Sequence, residues 1–153
     1  MKQRMNAYAV APEAIKALQS VEVYLAGCGL DHNLLHLVKM RVSQINGCAY
    51  CLHMHSSDAR KGGESEAKLY LLDAWEESAL YTPRERAAFA WAEALTNIQD
   101  GHAPDAVFEL ARSQFSEKEL ADLTVAVAMI NAWNRLAIST RQVHPHDRPQ
   151  AKA

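Results

Sequence analysis

The sequence has few cysteines and lacks the apolar and basic runs that mark several classes of protein. Its three cysteines are too few, and odd in number, for a disulfide framework. The formal charge is −2 and no dense basic run is present, which argues against a general nucleic-acid-binding protein. No apolar segment follows Lys2 and Arg4, so no signal peptide is expected. These absences predict a cytoplasmic protein in a thiol-reducing compartment.

Signals for membrane spans and for β-strands are also missing. The most apolar stretch, residues 120–138, is interrupted by Asp122, Asn131, Asn134 and Arg135, so a buried or interface helix is expected rather than a membrane span. If the two asparagines are buried, they need hydrogen-bond partners and would set the register between helices. No segment alternates apolar and polar residues with β-branched enrichment, so no strand is predicted.

Capping residues, prolines and glycines divide the chain into about seven predicted helices. These begin near Pro12, Asp31 or Asn33, Cys48, Ser65, Thr82, Pro104 and Ser116. Thr82 and Ser116 each begin a capping box, and the last helix runs to about residue 141. A chain of 153 residues is most simply one domain, with a helical core at about 12–141 and a flexible tail at 144–153. We therefore expect an all-α, single-domain bundle.

The most informative motif is a pair of thiols, Cys48 and Cys51, followed one helical turn later by His55. Their i, i+3, i+7 spacing places the three side chains on one helix face. The pair follows the helix stop Asn46-Gly47, so it lies in the first turn of the next helix, where backbone N–H groups favour a thiolate. A neighbouring imidazolium would lower a thiol pKa in the same direction. The motif predicts a redox-active dithiol.

Two other interpretations of the pair remain open. Cysteine packs as a small hydrophobe, so a Cys-x-x-Cys pair also occurs by chance in helical cores. Structural zinc is the second alternative, with Cys48, Cys51, His53 and His55 as donors, although His53 lies about 160° around the helix from His55. A thioredoxin fold is not expected, because there the pair follows a strand and here it follows a helix. Cys28, in a glycine-flanked turn, is expected to be an unpaired bystander.

Residues 37–51 and His55 resemble the alkylhydroperoxidase D-like branch of the carboxymuconolactone decarboxylase family. The signature is Gln-Ile-Asn-Gly-Cys-x-x-Cys-x3-His, and the likeness continues through residues 84–91 and 130–135. The resemblance implies an all-α fold, assembly into trimers or hexamers, and a dithiol peroxidase that reduces hydroperoxides. Electrons would come from a protein or small-thiol donor, and no bound cofactor or metal is expected beyond a redox-active disulfide.

The resemblance also implies a role for each site residue. Cys51 attacks the peroxide, Cys48 resolves the resulting sulfenic acid into an intramolecular disulfide, and His55 helps to deprotonate Cys51. The sequence departs from the family pattern twice, with His36 where a glutamate is common and Tyr50 where the best-studied branch has a histidine. His36 is a candidate member of the proton relay, since imidazole titrates near neutrality. The alternative is a histidine on the helix surface.

Three functions are compatible with these features. The favoured one is an antioxidant, thiol-dependent peroxidase, with no nucleic-acid or membrane partner. The second is the lactone decarboxylase that gives the family its name, although decarboxylation does not need a redox dithiol. The third is a non-catalytic, redox-responsive oligomer that binds partners and whose dithiol is vestigial or a sensor, and the replaced glutamate motivates this alternative.

Overall fold

The computed structural model describes residues 2–144, and these residues fold almost entirely into helices. The elements are α1 (Ala7–Val10), α2 (Pro12–Ala26), α3 (His32–Asn46), α4 (Ala49–Lys61), α5 (Glu66–Leu71), a 3-10 helix (Leu72–Glu77), α6 (Pro83–Thr96), α7 (Asp105–Arg112) and α8 (Glu117–Thr140). The predicted all-α class is confirmed. Over the same residues, no helix combines the length and the apolar character needed to cross a bilayer. The predicted flexible tail lies outside the described residues, apart from His144.

Most of the predicted helix boundaries are confirmed. Thr82 and Ser116 form the two expected capping boxes, because each side chain accepts the backbone N–H three residues on, and each backbone N–H donates to the glutamate carboxylate at that position. Asp31 caps α3 by accepting the N–H of Leu34 at 2.8 Å. The short helix α1 was not predicted, because its four residues are too few to show an apolar period. The change from α5 to a 3-10 helix at Leu72 was not predicted either.

Helix α3 lies at the centre of the fold and packs against α4, α6 and α8. Its residues Leu37, Val38 and Val42 are completely buried. Burying such a side chain contributes about 1.5–3 kcal/mol each, so α3 is held from several sides at once. This central packing fixes the position of the C-terminus of α3, from which α4 begins.

The turn between α3 and α4 is a Schellman motif closed by a glycine with positive φ. Gly47 has a φ of 70°, in the left-handed region. Its N–H donates to the carbonyl of Gln44 at 3.2 Å, and the N–H of Cys48 donates to the carbonyl of Ser43 at 2.9 Å. The carbonyl of Cys48 then accepts the N–H of Leu52 at 3.0 Å and begins α4. Cys48 therefore closes one helix and caps the next, which confirms the predicted helix stop.

Replacing Gly47 by alanine is expected to destabilise the protein by about 1 kcal/mol, because a left-handed backbone costs an L-residue about 1–2 kcal/mol. A Cβ at Gly47 would meet no atom within 4 Å, so the cost comes from the backbone alone. Gly27 is the matched control, since its φ is −113° and Gly27→Ala needs no strained backbone. Urea unfolding measures both variants. Equal losses of stability in the two would contradict this account of the turn.

Candidate functional site

The two thiols of the Cys-x-x-Cys pair face each other at the N-terminus of α4. The Sγ atoms of Cys48 and Cys51 are 2.8 Å apart, a contact in which one sulfur donates a hydrogen bond to the other. Both cysteines are free thiols. Their side chains are almost completely buried, with 1% of Cys48 and 3% of Cys51 exposed. The structure thus brings together the pair that the sequence places on one helix face.

Burial and hydrogen bonding separate the two thiols in acidity. The pKa of Cys48 is lowered from 9.0 to about 7, chiefly because the thiol of Cys51 donates to its sulfur. The backbone N–H groups of Cys51 and Tyr50 and the amide of Asn134 contribute in the same direction, and burial opposes them. The pKa of Cys51 is raised, because its proton is held by Cys48 and because it is buried. Cys48 is therefore the more acidic thiol of the pair.

His55 occupies the same face of α4 and is only 6% exposed. The pKa of this imidazole is lowered to about 3, chiefly by burial and also by the nearby Lys39 and His36, while Asp58 opposes them. His55 is therefore uncharged at neutral pH. The pKa of Cys48 is lowered by the thiol of Cys51 and by the backbone N–H groups at the start of α4. It is not lowered by the imidazolium that was considered from the sequence.

The two sulfurs line different cavities. Cys51 and His55 line a pocket of about 220 Å³ whose walls include Tyr8, Tyr50, Met54, Ile130 and Trp133. Cys48 lines a separate cavity of about 190 Å³ on the side of Arg141 and His144. Tyr50, which stands where a histidine is found in the best-studied branch, lines both cavities. A small molecule in the first pocket would therefore meet Cys51 and His55 together.

Buried amides fix the end of α3 against α8 beside the dithiol. Asn134 is completely buried; it donates to Ser43 Oγ at 3.0 Å and accepts from Asn46 Nδ2 at 2.9 Å. Asn131 accepts from the same Asn46 amide at 3.0 Å and donates to Thr96 Oγ1 at 3.1 Å. The two asparagines of α8 thus find the partners that their burial requires. Their bonds fix the register of α8 against α3, as the sequence allowed.

A partly buried ion pair that sequence reasoning missed lies beside the Cys51 pocket, whose lining includes Glu22. Lys39 Nζ lies 2.6 Å from Glu22 Oε2, and Lys39 is only 8% exposed. The other carboxylate oxygen of Glu22 accepts from Trp133 Nε1 at 2.9 Å. Helices α2, α3 and α8 are therefore tied together at the pocket. The signal in the sequence was a lysine on α3 between Val38 and Met40, in an otherwise apolar stretch.

His36 on α3 lies next to His55, with ring centroids 5.7 Å apart. A ring nitrogen of each histidine and a carboxylate oxygen of Asp58 lie within 4.8 Å of one another. Burial lowers the pKa of His36, and Asp58 opposes that change. The sequence pointed to His36 but not to Asp58, although Asp58 follows His55 by three residues and so shares its face of α4.

The remaining sequence candidates lie apart from this cluster. Cys28 is half-buried and has a free thiol, as expected of a bystander. His53, a donor in the structural-zinc alternative, packs its ring edge-on against His144, with centroids 4.6 Å apart. It therefore does not join Cys48, Cys51 and His55 in one donor set.

Comparison with known proteins agrees with the motif. The model of the carboxymuconolactone decarboxylase family matches residues 10–94. The uncharacterised protein YdfG of Bacillus subtilis (strain 168) is 40% identical over 139 residues, which span 91% of this chain and 95% of YdfG.

Solved structures share the whole fold. A crystal structure from Agrobacterium tumefaciens, of a protein of unknown function proposed to be the antioxidant defence protein AhpD, has a TM-score of 0.91 and 44% identity. The match covers 94% of this chain and 99% of that one. The debrominase Bmp8 has a TM-score of 0.79 at 20% identity, over 89% of this chain and 73% of Bmp8, which shows a common fold. This chain therefore belongs to the carboxymuconolactone decarboxylase family, in its alkylhydroperoxidase D-like branch.

Proposed function

We propose that this protein is a thiol-dependent peroxidase that reduces organic hydroperoxides through a Cys48–Cys51 dithiol/disulfide cycle, in an antioxidant role. The observation that carries the proposal is the arrangement around Cys51. This sulfur lines a pocket together with His55, and the sulfur of Cys48 lies 2.8 Å away. The family's relatives include proteins named for peroxide chemistry, which supports the same class of reaction.

In the first step Cys51 attacks the terminal oxygen of the hydroperoxide. The S–O bond forms as the O–O bond breaks, which leaves Cys51 as a sulfenic acid and releases an alkoxide. His55, in the same pocket, accepts the thiol proton and passes it to the alkoxide, which leaves as an alcohol. The thiolate of Cys48 is a second acceptor for that proton, since the two sulfurs share it across 2.8 Å.

In the second step Cys48 attacks the sulfur of the Cys51 sulfenic acid. The S–S bond forms, the S–O bond breaks, and the hydroxide takes up a proton to leave as water. The lowered pKa of Cys48, about 7, suits this role because the resolving thiol is then already ionised in much of the protein at neutral pH. An external thiol donor, a protein or a small molecule, returns two electrons to the disulfide.

His36 extends the proton relay beyond His55 in this proposal. Its ring lies 5.7 Å from that of His55, in the position where the family often has a glutamate. Imidazole can pass on a proton but supplies no negative charge, so His55 keeps a low pKa and is a weak base at neutral pH. Slow turnover is therefore part of the proposal.

The pocket favours organic hydroperoxides over hydrogen peroxide. Its volume of about 220 Å³ far exceeds what a molecule of hydrogen peroxide fills, since a water takes roughly 30 Å³ in the liquid. Aromatic and apolar side chains, among them Tyr50, Ile130 and Trp133, form much of the walls, beside the polar Gln19, Glu22 and Gln142. Such walls bind an apolar substituent on the peroxide. Cumene hydroperoxide is therefore the substrate chosen for testing.

The family resemblance supplies the rest of the proposal, namely a homo-oligomer, a trimer or hexamer, that works in the cytoplasm. Large apolar side chains lie exposed on several helices of the described chain, including Val23, Tyr70 and Ile138. Contact between subunits would cover surfaces of this kind. Analytical ultracentrifugation that gave a monomer at micromolar concentration would contradict the assembly.

Peroxide consumption by cysteine variants tests the cycle. With cumene hydroperoxide and excess dithiothreitol, Cys51→Ser should abolish turnover, because the attacking sulfur is lost. Cys48→Ser protein that has been reduced and then freed of dithiothreitol should consume about one equivalent of peroxide per chain and stop as the sulfenic acid of Cys51, because neither a resolving thiol nor an external thiol is present to reduce it. Cys28→Ser is the matched control and should retain full activity. Equal residual activity in the Cys48 and Cys51 variants would reject the assignment.

Titration of the reduced dithiol tests its electrostatics. The ultraviolet absorbance of the thiolate, followed in a Cys28→Ser background, should rise by one thiolate per chain with a midpoint near pH 7. Because the pKa of Cys48 is lowered, the thiolate is present above about pH 7 and is protonated as the pH falls below that value. Adding Cys51→Ala removes the hydrogen-bond donor and should move the midpoint upward by one unit or more, about 1.4 kcal/mol. An unchanged midpoint in that variant would contradict the sulfur–sulfur hydrogen bond.

A further inference from the structure

We propose that His36, His55 and Asp58 form a binding site for a divalent transition-metal ion of the zinc type, and that metal binding there holds the peroxidase inactive. The regulatory half of this inference rests on the proposed function, whereas the metal site itself does not. The sequence predicted no bound metal. The proposed donors share only His55 with the thiol-containing zinc set considered from the sequence.

The geometry of the three side chains fits a small cation. One donor atom from each lies within 4.8 Å of the others. Imidazole nitrogen and carboxylate oxygen bind zinc at about 2.0–2.2 Å, which places donor atoms roughly 3.5 Å apart around a tetrahedral ion. His36 comes from α3, whereas His55 and Asp58 lie one turn apart on α4, so the ion would bridge two helices that already pack together.

Unpartnered nitrogens give the second, independent indication of a ligand. The Nδ1 atoms of His36 and His55 are both buried and have no hydrogen-bond partner among residues 2–144. Buried polar atoms in native proteins are nearly always paired, and two orphaned atoms occur here in one pair of neighbouring rings. His55 is also more than nine-tenths buried. A metal ion binds the lone pair of an imidazole nitrogen and would therefore give such a nitrogen the partner that it lacks.

Charges of both signs lie around the cluster. Asp58 supplies a carboxylate that favours a cation, whereas the ammonium group of Lys39, which lowers the pKa of both His36 and His55, opposes it and is paired with Glu22 at 2.6 Å. Two imidazoles and one carboxylate leave at least one coordination position for water. This donor set contains no sulfur, so it selects metals of the zinc, cobalt and nickel type and leaves the dithiol free.

Metal binding would remove His55 from the peroxidase reaction. A neutral imidazole has one nitrogen with a free lone pair and one that carries hydrogen. Once a metal holds the lone pair, the other nitrogen is an N–H donor and cannot accept the proton of Cys51. The site would therefore couple metal availability to thiol chemistry without any metal–sulfur bond.

Calorimetric titration with Zn²⁺ tests the site in full-length protein that carries Cys48→Ser and Cys51→Ser, so that no dithiol competes. One ion per chain should bind with a dissociation constant in the micromolar range or below. His36→Gln and Asp58→Asn, added separately, should each weaken binding at least tenfold. His53→Gln is the matched control, because it removes a histidine from the same helix outside the cluster. Thermal unfolding without zinc shows whether each variant is folded.

Three results would overturn the site. These are the absence of saturable zinc binding, an affinity in the His36→Gln or the Asp58→Asn variant equal to that of the parent protein, and loss of binding in His53→Gln. With Co²⁺ in wild-type protein, a strong sulfur-to-metal absorption band would also overturn it, since that band would place the metal on the dithiol.

A single-turnover assay tests the regulatory half. Reduced wild-type protein, freed of reductant, is mixed with cumene hydroperoxide, and the loss of free thiols is followed with and without Zn²⁺. Zinc should slow this loss at least tenfold, and by a smaller factor in Asp58→Asn, each compared with its own zinc-free rate. Zinc binding that leaves the rate unchanged would overturn the regulation. A protein that binds zinc at the three residues but never reduces peroxide would refute the proposed function and leave the metal site standing.

Discussion

The left-handed backbone of Gly47 is the constraint on which the dithiol depends. It lets α3 end in a Schellman motif and α4 begin at the very next residue, so that Cys48 serves both helices. The first turn of α4 then carries Cys51 back toward Cys48, and the two sulfurs lie 2.8 Å apart. Central burial of α3 and the bond between Asn46 and Asn134 keep this turn in place. The left-handed backbone of Gly47 and the packing of α3 against its neighbours together set the distance between the two sulfurs.

The same turn gives the two sulfurs different properties. Cys48 receives the hydrogen bond from the other thiol and the N–H groups at the start of α4, which lower its pKa. Cys51 is protonated and opens with His55 onto the larger of the two dithiol cavities. The more acidic thiol and the thiol that faces the larger cavity are therefore two different cysteines. This division is what a cycle with one attacking and one resolving thiol needs.

Sequence reasoning reached the features that depend on one helix at a time. The capping boxes at Thr82 and Ser116, the helix stop before Cys48 and the common face of Cys48 and Cys51 all follow from local spacing, and the structure has them. The resemblance to a family added His36, whose neighbour His55 is nineteen positions away in the chain.

Features that depend on several helices could not be reached in this way. The ion pair between Lys39 and Glu22, the walls of the Cys51 pocket and the direction of the His55 pKa arise from packing between α2, α3, α4 and α8. Burial decides whether an imidazole is charged, and spacing within one helix does not reveal burial by another. The spacing of Asp58 from His55 could have been noticed in the sequence. Its importance becomes clear only in the structure, where His36 lies beside both residues.

Trapping the oxidised sulfur tests the central claim most directly. Cys48→Ser protein treated with one equivalent of cumene hydroperoxide and then with dimedone should carry the sulfenic-acid adduct on Cys51, located by mass spectrometry of the peptide. Wild-type protein treated in the same way should show no adduct, and its peptide should be two hydrogens lighter, as expected for the Cys48–Cys51 disulfide. An adduct on Cys48 in the Cys51→Ser variant, formed as fast as the Cys51 adduct, would contradict the assigned roles.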